Sequence, residues 1–392
     1  MAGNQSVRFI SSRFALPGKL FHRAMSSVHN NYTTYTTTEQ NVAESIDMRS
    51  DTVTQPTQAM KEAMMNCPLG DDVYTEDPTV NSLEKKCAAL FQKPAALFVA
   101  SGTMGNLISV MAHCQRGDEI IVGRSNHIHR WEQGNYAQLA SVSATTLNVN
   151  DKGMMNLSEM EESIRVNDCH MPRTKLICLE TTHNYSGGKP IPLEYLKDVR
   201  QLADKHHLKI HIDGARIYNA AVAMGVAVAD IAAYADSVMM CFSKGLGAPI
   251  GSILVGSESF IADARRIRKA LGGGWRQAGI LASAASVALD NAMQTIERDH
   301  RLAKTLADAI NNNTPENLKD SLFVDTTNIT NMVVLQCKNR AKPVMIQDFF
   351  RQNNILVMAF DHYRVRIIPN SNVSENDIAK TVEAYRAFVE SL

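Results

Sequence analysis

The chain has 392 residues, 45% of them apolar and 20% charged, an ordinary globular composition with room for two domains. Its 40 Lys plus Arg balance 40 Asp plus Glu, which excludes the broad basic footprint of a nucleic-acid binder, and no apolar stretch approaches the roughly 18 residues of a membrane span. Seven cysteines stand at 67, 87, 114, 169, 178, 241 and 337 without a CxxC pair, a pattern of reduced thiols rather than of disulfides or a structural zinc, and no metal is expected.

Residues 1–38 contain no Asp or Glu but carry Arg8, Arg13, Lys19 and Arg23 among Ser, Phe and Leu. Acid-poor basic N-termini look like organelle import signals. Residues 1–45 are therefore expected to be an extension ahead of the fold, either a mitochondrial transit segment or the tail of a cytoplasmic protein. Met60, Ala63 and Met64 then predict a helix over 56–66, and Asp77-Pro78 opens a second, with Pro at the first helical position. The apolar run 95–100, closed by Pro94 and Ser101-Gly102, reads as a buried strand, and 102–114 as a helix. Strands follow at 119–122, 175–180, 208–213, 237–243 and 251–255, with a helix at 196–206. Alternating strands and helices make βαβ units, so residues 46–295 are expected to form an α/β domain: a mostly parallel sheet flanked by helices. Beyond Gly279 the pattern changes. A long helical stretch over 280–311, strands at 332–336, 355–358 and 363–368, and helices at 343–353 and 375–389 predict a smaller α+β C-terminal domain over 296–392.

Ligands of open parallel sheets bind outside the carboxyl ends of the strands, and three signals fall there. Ser101-Gly102-Thr103 follows a strand and opens a helix, where free backbone N–H groups favour an anion. Asp213-Gly214-Ala215-Arg216 places a carboxylate and a guanidinium at another strand end. Ser243-Lys244-Gly245 delivers a lysine, normally a surface residue, into a Gly-rich loop after an apolar strand, where a partly enclosed amine is a candidate nucleophile. An anion cradle, an Asp and a Lys at successive strand ends are the parts of a pyridoxal-phosphate (PLP) enzyme.

Over 46–279 the chain also resembles the low-specificity L-threonine aldolases (L-allo-threonine aldolases), a family of fold-type I PLP enzymes. The resemblance rests on Arg49-Ser50-Asp51-Thr52-Val53-Thr54, Gly70-Asp71-Asp72-Val73-Tyr74, Ser101-Gly102-Thr103-Met104, Asn126-His127-Ile128, Thr182-His183-Asn184, His211-Ile212-Asp213-Gly214-Ala215-Arg216, Ser243-Lys244-Gly245 and Gly272-Gly273-Gly274-Trp275-Arg276-Gln277, and more loosely on Val365-Arg366. It implies that Ser101, Gly102 and Thr103 hold the cofactor phosphate, that Lys244 is the Schiff-base lysine, that Asp213 partners the pyridine nitrogen and that His127 stacks on the ring. By the same resemblance Ser50, Arg216 and Arg366 hold the substrate carboxylate, and His183 lies near the substrate hydroxyl. Arg276 reaches the phosphate of a neighbouring subunit, Lys269 lies near the substrate end of that site, and the protein is a homo-oligomer, a dimer or a tetramer. The expected reaction is cleavage of threonine or allo-threonine to glycine and acetaldehyde, with His127 or His183 as the base. A β-eliminating lyase or aminotransferase on the same scaffold is the alternative enzyme. A silent interaction protein would lack the Lys, the Asp or the phosphate turn, and all three are present. Arg265, Arg266 and Arg268 read as a solvated helix face.

Overall fold

The computed structural model of the protein describes residues 44–338 and 341–392; the basic N-terminal segment lies outside them. A seven-stranded sheet has the order Ala95–Val99, Ser252–Gly256, Ser237–Cys241, Lys209–Asp213, Thr174–Glu180, Glu119–Gly123, Ser143–Leu147. Every strand runs in one direction except Ser252–Gly256, which is antiparallel to both neighbours. The cause is chain length: only residues 242–251 join it to Ser237–Cys241, too few for a crossover helix. Glu119–Gly123 and Ser252–Gly256 have continuous apolar centres, as strands of a sheet covered on both faces do, and Ile120, Ile121, Val122, Ile253, Leu254 and Val255 are fully buried. Ser143–Leu147 escapes a reading by apolar pattern because it is a half-exposed edge strand made of Ser, Ala, Thr, Thr and Leu.

Local chemistry sets the helices that matter for the site. Asp77 caps Pro78–Leu90 by accepting from the Thr79 and Val80 amides, and Ser101 caps Gly102–His113 by accepting from Met104. The second helix lies close against the sheet. A Cβ on Gly102 would sit 2.8 Å from Cys241 Sγ, and one on Gly105 2.7 Å from Met239 Cγ, so these two glycines permit the approach.

The long helix expected over 280–311 is two, Gly279–Asp290 and Ala292–Asn313. Asn291 breaks it, its side-chain amide donating back to the Val287 carbonyl at 2.9 Å, the local competition with backbone pairing that this residue favours. The C-terminal part carries a four-stranded antiparallel sheet in the order Met358–Ala359, Arg364–Ile367, Val333–Cys337, Leu322–Val324. It packs with the flanking helices around its own apolar cluster, which includes Leu306, Val333, Phe350, Val365 and Phe388. The single strand expected over 355–358 is split. Ile355–Leu356 pairs in parallel with Ile46–Asp47, and Met358–Ala359 pairs with Arg364–Ile367. The start of the described chain is thus stitched to its C-terminal part. All seven cysteines are free. Among the described residues no helix is long and apolar enough to cross a membrane.

Candidate active site

The strand ends converge on a cavity of about 170 Å³. Ser101, Gly102, Thr103, His127, Asp213 and Lys244 all line it, together with Asn106, Glu132 and Ser243. At one end is the N-terminus of Gly102–His113. Its first-turn amides have no intrahelical partner, and Ser101, whose Oγ accepts from Met104 N at 3.2 Å, keeps its hydroxyl proton to donate. The turn is fixed from behind by Arg268, which donates to the Phe98 carbonyl at 2.7 Å and to Asp72 Oδ2 at 2.6 Å. This corrects the sequence reading: Arg268 is not part of a solvated face but 2% exposed.

Asp213, last residue of its strand, is buried. Its Oδ1 accepts from Ala215 N at 3.1 Å and its Oδ2 from Asn106 Nδ2 at 2.9 Å. His127 opens a short helix after Glu119–Gly123. Its backbone amide donates to Glu180 Oε2 at 2.6 Å, and its Nδ1 lies 2.8 Å from Glu132 Oε1. Burial by itself would depress the imidazole; the hydrogen bond to Glu132 and the nearby Asp213 charge outweigh it, so the His127 pKa stands above its ordinary value. With Nδ1–H committed to Glu132, the Nε2 lone pair is the basic atom. Burial raises Glu132 in turn.

Three candidate carboxylate binders lie apart from the cavity lining. Arg216 makes a side-on pair with Asp51, Nε to Oδ2 and Nη2 to Oδ1, both 2.7 Å, and Asn331 Nδ2 donates to the same carboxylate at 3.2 Å. Burial would raise Asp51, but the charges of Arg216, Lys244 and Arg366 hold it down at about 2. Asp51 therefore occupies the Nε–Nη2 edge of the Arg216 guanidinium. Ser50 Oγ accepts from Thr52 N at 3.3 Å and lies 3.4 Å from Asp51 Oδ1. Arg366 is buried, donating to Asn184 Oδ1 at 3.1 Å and to the Arg49 carbonyl at 3.0 Å. His183 is fully buried; its Nδ1 lies 2.8 Å from Ser186 Oγ and 3.1 Å from Ser186 N, and its Nε2 has no hydrogen-bond partner among the described residues. Lys269 and Arg276 do not join the cavity. Lys269 is exposed on a separate cleft with Arg265 and Arg266, and Arg276 is 56% exposed and paired with Asp71 at 3.0 Å.

These residues fit PLP: amides and a hydroxyl for the phosphate, a buried carboxylate across the cavity for a ring nitrogen, and one lysine in the lining. A mostly parallel sheet with these groups at its strand ends defines a fold-type I PLP enzyme. A family model described as Beta-eliminating lyase matches residues 47–336. The chain is 57% identical over 358 residues to an uncharacterized protein of Caenorhabditis elegans, covering 91% of this chain and 87% of that one. It is 42% identical over 351 residues to low-specificity L-threonine aldolase 1 of Arabidopsis thaliana, covering 88% and 96%. Its fold is similar to that of Leishmania major threonine aldolase, with a TM-score of 0.73 at 18% identity, over 88% of this chain and 99% of that one. The chain belongs to the beta-eliminating lyase family, among the low-specificity L-threonine aldolases, and is a PLP-dependent carbon–carbon lyase.

Sequence reasoning missed Asn106, Glu132 and Arg268. Glu132 lies five residues beyond His127, a spacing that carries no signal until the intervening turn is known. Asp72 stood inside a recognised stretch without a role; its role here is to hold Arg268.

Proposed function

We propose that this enzyme cleaves L-threonine or L-allo-threonine to glycine and acetaldehyde, a step of threonine breakdown that forms glycine. The observation that carries the reading is the His127–Glu132 pair beside Asp213 and Lys244 in one cavity. When bound, PLP supplies the electron sink for the pair released at Cα. Lys244 is the amine that tethers the cofactor, and Asp213 holds the proton of its ring nitrogen. Ser101 and the Gly102 and Thr103 amides bind its phosphate. Arg366 and Ser50, with Arg216 braced by Asp51, hold the substrate carboxylate and so choose which bond at Cα is broken. His127 Nε2 takes the β-hydroxyl proton as the Cα–Cβ bond breaks and the aldehyde leaves; a proton delivered to Cα completes glycine. His183, whose Nδ1 lies 2.8 Å from Ser186 Oγ and 3.1 Å from Ser186 N, is outside the lining of this cavity and is the alternative base.

The test is product analysis. Purified enzyme with PLP, given L-threonine, L-allo-threonine and D-threonine in parallel, is expected to release acetaldehyde and glycine from the L-isomers. Pyruvate, or an amino group passed to an added keto acid, would assign it instead to β-elimination or transamination. The enzyme further acts as a homo-oligomer, dimer or tetramer, with the exposed Arg276 and Lys269 serving the neighbour's site; light scattering that found a fully active monomer would refute this. For the N-terminal segment we propose mitochondrial import. Deletion of residues 1–38 should leave activity intact and move the protein to the cytosol, and an unchanged location would make the segment a tail.

A further inference from the structure

A buried hydrogen-bond chain runs behind Asp213 and ties it to the histidine pair. Asn106, 1% exposed on the helix that also presents the phosphate amides, gives both hydrogens of its side-chain amide to carboxylates: Nδ2 donates to Glu132 Oε1 at 2.8 Å and to Asp213 Oδ2 at 2.9 Å. Its Oδ1 therefore accepts, and the partner is His211 Nε2 at 3.0 Å. That fixes the His211 tautomer: the proton is on Nε2, and Nδ1 accepts from Ser237 Oγ at 2.9 Å. Ser237, its one proton spent, accepts from His113 Nε2 at 2.8 Å. Burial lowers His211 to about 3 and His113 to about 4, so both rings stay neutral and the polarity of the chain does not reverse in the working pH range.

The charges require such a device. Ligand atoms of His127, Glu132 and Asp213 lie within 4.8 Å of one another, with both carboxylates buried. Like charges this close repel each other, and a donor placed between them favours the ionised form of both. The other groups facing the cluster are Lys244 from the loop after Ser237–Cys241, the Cys178 thiol from Thr174–Glu180, and Glu180, which binds the His127 backbone amide. Among the described residues, Asn106 is the one whose side chain donates to both carboxylates.

We infer that Asn106, oriented by His211, is a positioning residue that keeps Glu132 and Asp213 ionised together, so that one carboxylate serves the cofactor ring while the other sustains the basicity of His127. The inference rests on the roles proposed above for Asp213 and His127. Its decisive readout is independent of turnover: the NMR titration of the His127 ring in holoenzyme, its signal assigned by disappearance in His127→Phe. In Asn106→Ala one of the carboxylates takes up a proton, and the His127 midpoint should fall by about one pH unit. With it, the acid limb of kcat/KM should move to lower pH, and kcat should fall about tenfold or more while KM for threonine stays within about twofold. Asn106→Ser keeps one donor in a smaller side chain. It is expected to give a smaller shift in the same direction, and it serves where the alanine variant does not fold. A folded variant that loses activity while His127 titrates at its wild-type midpoint would overturn the inference and leave Asn106 a purely structural amide. Should the wild-type enzyme release no acetaldehyde, the proposed reaction fails, and the titration still decides the coupling.

Discussion

Replacing Asp213 with Asn is the sharpest probe of how the cavity is used, because the structure says what asparagine does there. Both Asp213 oxygens accept, one from the Ala215 amide and one from the Asn106 amide. Asn has one acceptor, so whichever way it turns, its NH2 group faces a donor, and either the buried Asn106 amide or the part-buried Ala215 amide loses its partner. That loss costs about 1–3 kcal/mol of stability. The larger effect is on rate. A carboxylate stabilises a protonated ring nitrogen, and charge-assisted hydrogen bonds are roughly twice as strong as neutral ones. Losing one preorganised electrostatic contact to developing charge typically costs about 2.7–4 kcal/mol, or roughly 10²–10³ in kcat. Asp213→Asn should therefore retain bound PLP at saturating cofactor, unfold at a lower urea midpoint and release acetaldehyde at least about a hundredfold more slowly. Reconstitution with an N-methylated cofactor, whose ring charge is permanent, should restore part of the rate. Normal turnover by Asp213→Asn at saturating cofactor would show that Asp213 only caps the turn to Ala215 and that the ring lies elsewhere.

Lys244→Ala should show no absorbance band of tethered cofactor and resist borohydride trapping; full turnover with cofactor trapped on another lysine would contradict its role. Glu132→Gln should move the acid limb of the pH–rate profile. His127 acts as a base only when neutral, and its pKa is held above the ordinary value by Glu132, so wild-type activity is lost as pH falls through a midpoint above about 6.5. Replacing the charged hydrogen bond by a neutral one is worth about 1 kcal/mol or slightly more, so the limb should move down by about one unit, and an unmoved limb would exclude His127 as the titrating base. Asp51→Asn tests the buried pair with Arg216. A carboxyl held at about 2 against an ordinary 3.8 corresponds to about 2 kcal/mol of stability, present above about pH 4 and lost as pH falls through the folded value. Because the substitution also strands the Arg216 charge, the loss at pH 7 should reach about 3–5 kcal/mol, with a raised KM; an unchanged unfolding midpoint would refute the pairing.

Much of the fold and part of the site were legible in the sequence because their determinants are local. Residues 95–99 and 237–241 are mostly apolar and 209–213 alternates Ile with polar residues, each leading into a chemically distinctive turn, so the strand ends could be placed from sequence, and the structure brings Ser101, Asp213 and Lys244 to one cavity. What was not legible depends on pairs far apart in the chain. Asn106 sits among apolar neighbours on its helix, and its partners are 26, 105 and 107 residues away. Arg268 looks like its neighbours Arg265 and Arg266, and only the chain crossing at Phe98 and Asp72 turns it inward. Arg216 is recognisable as an arginine beside the site, but not as one already gripped by Asp51.

On the proposed carboxylate role of Arg216, that last pair places the guanidinium at low cost in disorder. A free arginine reaching toward a substrate must give up rotamer freedom each time it binds. Here Asp51, on the turn that starts the described fold, holds Arg216 at the end of the Asp213 strand with two hydrogen bonds, and Asn331 from the C-terminal part holds Asp51. Arg366 is likewise tied to the Arg49 carbonyl. The pairing of Ile46–Asp47 with Ile355–Leu356 brings these segments together. The same stitching that looks structural thus preorganises the two guanidinium groups on which the proposed choice of bond at Cα depends, and loosening it should raise KM before it unfolds the sheet.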